Sequence, residues 1–427
     1  MISSDAFRRG ACPGAGAPME SGDGLISRVR LPAARLSANQ LARLATLSLQ
    51  DGQGLLELTS RGNIQIRGLT ETSERHLTRE LVAAGLALAD PEAEACRNIQ
   101  SSPGYDLDPM AVADTRSVAE RLDARLQSDP AFRKLPPKFR FVLNGGGQGH
   151  LAEVDGDIRA DAVTTPYGVG YRLALAGTAH GSRPLGLCRP ERLIDALAGL
   201  AHGFLALNER LVTPMRRMSG LLDVHGTAPF LDAIGACLQS APDLPEHPTP
   251  MKPGPLGRGV VAGVPLGRLD AALAQALAEI SGEYGNGEIR TTPWRQVLIP
   301  GNPEQLGPRL RDIGLITDPM DSRNSIVTCP GQPECQSGTT GTRDHALDWA
   351  QAVPEIFDGD SIVHISGCAK GCARPRNSPI TVVAHEGLYD VILNDRPLPE
   401  DETNRVVRGL EPQEVPDTLR ALARSTR

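Results

Sequence analysis

The sequence predicts an α+β fold that arose by duplication, with two ferredoxin-like half-domains and two larger α/β domains. The first observation is an internal repeat, in which LPAARLSANQLARLATLS (31–48) resembles VPLGRLDAALAQALAEIS (264–281), 233 positions later. The second is a proline-rich segment, APDLPEHPTPMKPGP (241–255), which separates the copies and is stiff because proline restricts the backbone. Together they predict a pseudo-twofold architecture.

Each copy of the repeat reads as a strand, a helix, a glycine turn and a second strand. Ser37 and Asp270 stand where a helix N-cap belongs. The strand after the turn, in 56–68, carries polar residues at alternate positions, so one of its faces is free to meet a polar partner. It aligns with 288–301 if a two-residue slip is allowed.

The repeat and the linker divide the chain into five segments. Helical periodicity in 116–127 and 192–211 places helices in the first larger domain. The predicted boundaries are 20–90 for the first half-domain, 91–240 for the first α/β domain, 241–256 for the linker, 257–318 for the second half-domain and 319–427 for the second α/β domain.

Composition excludes several classes of partner. The net charge is −7 and aromatic residues make up only 3% of the chain, which speaks against a nucleic-acid-binding surface. No apolar stretch approaches the length of a membrane span, and the opening residues lack the core of a signal peptide. We therefore expect a cytoplasmic protein, in which its eight cysteines serve metal or redox chemistry rather than disulfides.

Four cysteines form two pairs, Cys329 with Cys335 and Cys368 with Cys372. The C-x3-C spacing suits zinc but the C-x5-C spacing does not suit it well. Glycines and prolines beside the pairs let the backbone approach closely, as an iron–sulfur cluster requires. From spacing, a [4Fe–4S] cluster is favoured, with zinc and unliganded thiols as alternatives. The isolated cysteines at positions 12, 96, 188 and 237 are predicted to be small buried hydrophobes.

Five motifs occur in order along the chain: TSRGNIQIRG (59–68), CRNIQSSP (96–103), LPPKFRF (135–141) and the two cysteine pairs. In this order they resemble the siroheme-dependent sulfite and nitrite reductases, and the resemblance covers nearly the whole chain and its duplication. It implies one [4Fe–4S] cluster held by all four paired cysteines. It also implies a pocket that grips a tetrapyrrole.

The opening segment, RGACPGAGAPMESGDGLISRVRLP (9–32), is similar to that of an oxygenase branch of the superfamily, which serves aerobic cobalamin biosynthesis. That resemblance implies an O2-dependent monooxygenase acting on a siroheme-like, carboxylate-rich tetrapyrrole. The substrate would occupy the place of siroheme, and electrons would come from an external donor or an NADH-linked reductase. A mononuclear iron as oxygen activator is also implied, although the nine histidines offer no ligand pair.

The resemblance implies a set of basic and polar site residues, because arginine binds carboxylates through two parallel hydrogen bonds. Lys138 and Arg140 are the predicted catalytic residues, and Arg140 replaces the second lysine of the reductases. A guanidinium does not give up its proton as an ammonium can, which speaks against six-electron reduction. The predicted tetrapyrrole-binding residues are Arg61, Asn63, Gln65, Arg67 and Arg97.

The glycine-rich segment and two histidines are predicted to have no part in the chemistry, and two functions other than the oxygenase remain as alternatives. The glycine-rich segment 140–154 is interpreted as a hairpin or substrate-edge loop, because no helix follows it to form a dinucleotide site. His364 and His385 are expected to be structural histidines with their hydrogen bonds satisfied. The alternatives to the oxygenase are a siroheme-dependent reductase and a non-catalytic iron–sulfur or tetrapyrrole carrier.

Overall fold

The computed structural model describes residues 13–425 apart from 236–237, 241–243, 245, 360, 375 and 400. The first repeat unit contains two helices over a sheet. Its elements are β1 (Met19–Ser21), β2 (Gly24–Val29), β3 (Arg35–Ser37), α1 (Ala38–Asp51), β4 (Leu55–Leu58), β5 (Ile64–Leu69) and α2 (Glu71–Ala83).

The first α/β domain follows, and its periodic segments form helices as predicted. Its elements are α3 (Pro91–Ala95), β6 (Ile99–Ser101), α4 (Arg116–Ser128), β7 (Phe141–Asn144), β8 (Gly156–Thr165), β9 (Gly168–Gly177), β10 (Arg183–Cys188), α5 (Leu193–Asn208), α6 (Met218–His225), α7 (Ala228–Ile234) and β11 (Leu238–Gln239). Strands β6, β7 and β8 are parallel, and β9 and β10 continue the sheet antiparallel.

The second repeat unit has the same order of elements as the first. The repeat unit contains β12 (Gly254–Pro255), β13 (Gly259–Gly263), β14 (Arg268–Asp270), α8 (Ala271–Tyr284), β15 (Glu288–Thr291), β16 (Gln296–Pro300) and α9 (Pro303–Asp312). The last domain contains β17 (Ile326–Thr328), α10 (Arg343–Ala352), β18 (Val363–Ser366), β19 (Ser378–His385), β20 (Leu388–Asp395), β21 (Arg405–Leu410) and α11 (Val415–Ser425). Among the helices of the described chain, none combines the length and the apolar character needed to cross a bilayer.

The two repeat units exchange a strand. β14 of the second copy pairs with β4 of the first, and β3 of the first copy pairs with β15 of the second. The helices of both copies share one apolar core, to which Leu44 and Leu277 contribute fully buried side chains. The half-domains therefore form one interlocked body, because each sheet is completed by a strand from the other copy.

The repeat keeps its 233-residue offset through the turn, so the two-residue slip allowed in the sequence alignment is wrong. α1 and α8, and likewise β4 and β15, begin and end at positions 233 apart. The predicted caps are confirmed: the Ser37 hydroxyl accepts the Gln40 amide at 3.1 Å and the Asp270 carboxylate accepts the Leu273 amide at 2.7 Å.

The duplication extends to the larger domains, which the sequence comparison did not detect. β17, β18 and β19 are parallel and β20 and β21 antiparallel, as in β6 to β10. β17 begins 227 positions after β6, and β18 and β19 begin 222 positions after β7 and β8. In both halves a parallel crossover joins the last two parallel strands, 145–155 in the first half and 367–377 in the second. The glycine-rich segment is thus a parallel crossover, and the hairpin interpretation is wrong.

Candidate functional site

The four paired cysteines lie on two loops that meet beside the last sheet. One loop (329–335) follows β17, and the other is the crossover 367–377. The Gly367 amide donates a hydrogen bond to the Cys329 sulfur at 3.1 Å. Burial raises the pKa of the Cys372 thiol, and Cys368, Cys329 and Cys335 raise it further, so the other three thiols all lie near Cys372.

Within the described residues, no three His, Cys, Asp or Glu side chains are arranged around a single ion. The fit of the loops to a larger group rests on their glycines. A Cβ on Gly367 would come within 3.0 Å of the Gly331 Cα atom and 3.5 Å of the Cys329 sulfur, so side chains there would separate the loops. An amide directed at a sulfur is also the contact that iron–sulfur clusters receive from protein. The residues present therefore fit a [4Fe–4S] cluster.

The first half contains an equivalent pair of loops, one at 102–108 and the other the crossover 145–155. We call this pair the closed copy, because its own hydrogen bonds hold the two loops together. The counterparts of the four cysteines, by the offsets of 227 and 222, are Ser102, Asp108, Gly146 and His150. The Gly145 amide donates to the Ser102 hydroxyl at 2.9 Å, as Gly367 does to Cys329. The Asp108 carboxylate accepts the Gly149 amide at 3.1 Å. Internal hydrogen bonds thus replace thiol ligands in this copy.

A tryptophan covers the closed copy. Trp294, at the tip of the β15–β16 hairpin, packs against Val142, Leu151 and Val154. The residue equivalent to Trp294 in the β4–β5 hairpin is Arg61. The two hairpins therefore carry a cation in one copy and an apolar ring in the other at equivalent positions.

Arg61 belongs to a group of three basic residues with Arg140 and Arg217. Burial lowers the pKa of Arg140 to about 9, and the nearby charges of Arg61 and Arg217 contribute to the shift. Arg140 donates to the Asp155 carbonyl at 2.9 Å, while its buried Nε atom has no partner among the described residues. Arg140 therefore stays cationic at neutral pH, and Arg217 pairs with the Asp157 carboxylate at 2.9 Å. Lys138, which stands two positions before Arg140, is exposed to solvent on the loop before β7.

The other predicted tetrapyrrole ligands are engaged by the protein itself. Arg67 is buried and pairs with Asp23 at 2.8 Å, and Arg97 pairs with Asp123 at 2.7 Å. Burial opposes the charge of Arg97, but its two carboxylate partners outweigh this and raise its pKa.

The two polar residues that follow Arg61 in its motif are also hydrogen-bonded within the protein. The side-chain oxygen of Asn63, in the β4–β5 turn, accepts the Leu31 backbone amide at 3.1 Å, and the side-chain amide of Gln65, on β5, donates to Glu57 at 2.6 Å. The structure thus places Asn63, Gln65, Arg67 and Arg97 in internal contacts, and Arg61 and Arg140 together.

A buried ion network joins the first sheet to the cysteine loop. Glu57 pairs with Arg343 of α10 and lies 3.8 Å from the Arg268 guanidinium, and Arg268 and Arg343 both contact Glu334. Burial alone would raise the pKa of Glu57, but Arg343 and Arg67 hold it below its ordinary value. Because Glu334 precedes a cysteine, this network fixes the cysteine loop against the sheet.

His364 is not the satisfied structural histidine that the sequence analysis expected. It is fully buried on β18, and neither ring nitrogen has a hydrogen-bond partner in the described part of the chain. Burial, followed by the charges of Arg374 and Arg295, lowers its pKa to about 4. His385 is exposed at the end of β19. Sequence analysis missed Arg295 and Arg374, because nothing in their local sequence marks them.

The isolated cysteines that the structure describes are buried. Cys96 and Cys188 are at most 2% exposed, which confirms the expectation for these two. Burial raises the pKa of the Cys96 thiol to about 11, so it stays protonated. Cys12 and Cys237 lie outside the described residues.

Comparison with family models gives two matches. The model of the nitrite/sulfite reductase ferredoxin-like half domain matches residues 17–84 and 252–312. The model of the nitrite and sulphite reductase 4Fe-4S domain matches residues 92–235, a range that contains the closed loop pair and not the four paired cysteines. The fold is also that of the Mycobacterium tuberculosis NirA protein, with a TM-score of 0.72 at 21% identity over 94% of this chain and 80% of that one.

The chain belongs to the nitrite and sulfite reductase family. Within it, the chain is 32% identical to a precorrin-3B synthase from Sinorhizobium sp, over 91% of this chain and 83% of that protein. It is 26% identical to a ferredoxin–nitrite reductase from Synechococcus elongatus, over 93% of this chain and 85% of that protein. These relatives are enzymes. The structural match and the half-domain model confirm the predicted duplicated α+β fold, and the match to the 4Fe-4S domain model supports an iron–sulfur cluster.

Proposed function

We propose that this chain is a precorrin-3B synthase, an O2-dependent monooxygenase that converts precorrin-3A to precorrin-3B. One oxygen atom enters at C20, a lactone closes from the ring-A acetate, and the other oxygen atom leaves as water with two electrons from an external donor. The similarity to the Sinorhizobium enzyme supports this activity over the reductase alternative.

The observation that carries the proposal is the contrast between the two loop pairs. The first-half pair is filled by Trp294 and its apolar neighbours. The second-half pair is bordered by Arg295, which has Cys329 as an electrostatic neighbour, and by a buried imidazole, that of His364, without a partner among the described residues. A tetrapyrrole of this class carries several carboxylates, and a chain with net charge −7 can bind it only through a local concentration of cations.

Different residues of the chain would bind the substrate and the cluster. Arg61 and Arg217 repel the buried Arg140, and a substrate carboxylate beside Arg140 would relieve that repulsion because it pairs with guanidinium groups. Arg140 remains protonated at neutral pH and holds the substrate rather than supplying protons. Cys329, Cys335, Cys368 and Cys372 would hold the [4Fe–4S] cluster. When bound, the cluster supplies electrons one at a time.

The remaining assignments also belong to this proposal. O2 and an external or NADH-linked donor are the co-substrates. We propose a mononuclear iron as the oxygen activator. Siroheme would be bound only if the reductase alternative held.

The test is a paired assay on anaerobically purified, cluster-loaded protein. With precorrin-3A, a reduced donor and 18O2, we expect a product that contains one labelled oxygen atom and the lactone. With reduced viologen under argon, added sulfite or nitrite should not accelerate viologen oxidation. Rapid anion-dependent oxidation, together with stoichiometric siroheme in an acid extract, would establish the reductase alternative instead.

A further inference from the structure

His364 lies beneath the loop that carries two of the cysteines. It is on β18, and its neighbours Val363 and Ile365 point into the apolar core with α10 and α11. Side chains alternate along a strand, so His364 points to the opposite face. The parallel connection 367–377 must return along the sheet to reach β19. A fully buried imidazole with two unpaired nitrogens is costly in any protein unless a ligand completes its hydrogen bonds.

Arg295 has an unusual backbone conformation at the tip of the β15–β16 hairpin. Its φ is +59°, in the left-handed region that disfavours side chains other than glycine and asparagine. The first repeat has Gly62 at the equivalent position, with φ of +68°. The Arg295 side chain lies across Gly267, where a Cβ would come within 2.6 Å of its Cδ atom. Among the described residues its guanidinium forms no ion pair or hydrogen bond, although Glu57, Arg343 and Cys329 are electrostatic neighbours.

Arg374 supplies a second cation from the crossover. Its Nε atom donates to the Ser378 hydroxyl at 3.0 Å, which leaves the two terminal nitrogens for another partner. Arg374 and Arg295 are the two charged groups that act on His364. Two guanidiniums therefore lie near one uncharged imidazole, on the elements that border the cysteine loops.

The duplication provides an internal control for what the fold itself requires. The first-half equivalents of His364, Arg295 and Arg374 are, in order, Val142, Gly62 and Ala152. Val142 is fully buried in the same strand register that His364 occupies. The fold is thus built with apolar residues or glycine at all three positions. The polar set in the second half serves something other than the architecture.

We propose that Arg295, Arg374 and His364 form a carboxylate-binding subsite beside the four cysteines, and that one carboxylate side chain of the tetrapyrrole substrate occupies it. This inference rests on the proposed function for the identity of the ligand. Two guanidiniums exclude a cationic ligand and can each donate two parallel hydrogen bonds to a carboxylate. The neutral imidazole adds one N–H donor to the same anion.

The test replaces each residue by the one that the fold already accepts in the first half. The variants are His364→Val, Arg295→Gly and Arg374→Ala. The control is Arg420→Ala on α11, which removes an exposed ion pair with Glu355. Binding of precorrin-3A is measured anaerobically by fluorescence titration on cluster-loaded protein. Each subsite variant should raise the Kd by about tenfold or more, because it removes a charge-assisted or buried hydrogen bond. The control should bind as the wild type does.

Two further measurements separate binding from structure. Cluster absorbance should be the same in the wild type and the variants. The thermal midpoint of Arg295→Gly should equal or exceed that of the wild type, because glycine is unstrained at this φ. Unchanged Kd values in all three variants, or weaker binding that only follows loss of the cluster, would overturn the subsite. Failure of the wild-type protein to bind precorrin-3A would instead overturn the proposed function.

Discussion

Cys372 is the paired cysteine whose residue is most open to solvent, and it shares the crossover with Cys368. Its environment differs from that of Cys96, which is enclosed in the core of the first α/β domain. The same side chain therefore has two roles in this chain, because a thiol among other thiols can bind metal and a thiol among apolar side chains only packs.

Replacing Cys372 with serine should remove most of the broad iron–sulfur absorption, because a serine hydroxyl is a poor ligand for a cluster. The measurement is the visible spectrum and iron content after anaerobic purification. Cys96→Ala is the matched control and should keep both. If Cys372→Ser retained its full iron content, the ligand set proposed for the cluster would be wrong.

The crossovers 145–155 and 367–377 show how one element can have two uses. Both join parallel strands in the same register, and both begin with a glycine whose amide donates to the loop opposite. They differ in the acceptor, which is the hydroxyl of Ser102 in one half and the sulfur of Cys329 in the other. The backbone geometry of a cluster site is therefore present twice, and side chains decide which copy can hold a cluster.

Gly367→Ala should lower cluster content severalfold, because its Cβ would press on the backbone of Gly331, which cannot rotate away as a side chain can. Gly282→Ala is the control: Gly282 lies inside α8, where the added Cβ would meet only the Ala38 Cβ, at 4.0 Å. It should raise the free energy of unfolding by about 0.5–1 kcal/mol and leave the cluster unchanged. Equal cluster content in the two variants would contradict the close approach of the loops.

At the scale of the whole molecule, the buried ion network connects both repeat units to the last domain. Glu57 comes from β4, Arg268 from β14 of the other copy, and Arg343 from α10. The backbone carbonyl of Glu334 accepts Arg67 at 2.7 Å, which ties the cysteine loop to the same place. The site is thus assembled from three parts of the chain that are far apart in sequence.

Glu57→Gln should lower the free energy of unfolding at pH 7 by about 3 kcal/mol, because it leaves buried guanidiniums without their carboxylate. The folded-state pKa of Glu57 lies below its ordinary value of 4.5, so its contribution is present above that pH and is lost as the pH falls through the lowered pKa. Urea denaturation of both proteins from pH 7 to pH 3 should show the difference shrinking toward the acid end. A constant difference would rule out ionised Glu57 as its source, and Glu355→Gln, at an exposed pair, should leave the midpoint unchanged.

The duplication of the half-domains, the four paired cysteines and the resemblance to the reductase family could all be predicted from the sequence. These depend on local patterns, since helix periodicity, caps and cysteine spacing are set by neighbours along the chain. The internal pairing of the basic residues, by contrast, depends on the folded chain. Arg67 and Arg97 stand in two of the motifs that predicted a tetrapyrrole pocket, and each pairs with a carboxylate that folding brings from elsewhere in the sequence. The tertiary structure likewise revealed that Ser102, Asp108, Gly146 and His150 repeat the cysteine site, and that His364 is buried without a partner. Such relations depend on strand register and on the path of the chain between strands. Both bring together residues that are far apart in the sequence, and the neighbours of those residues along the chain do not indicate it.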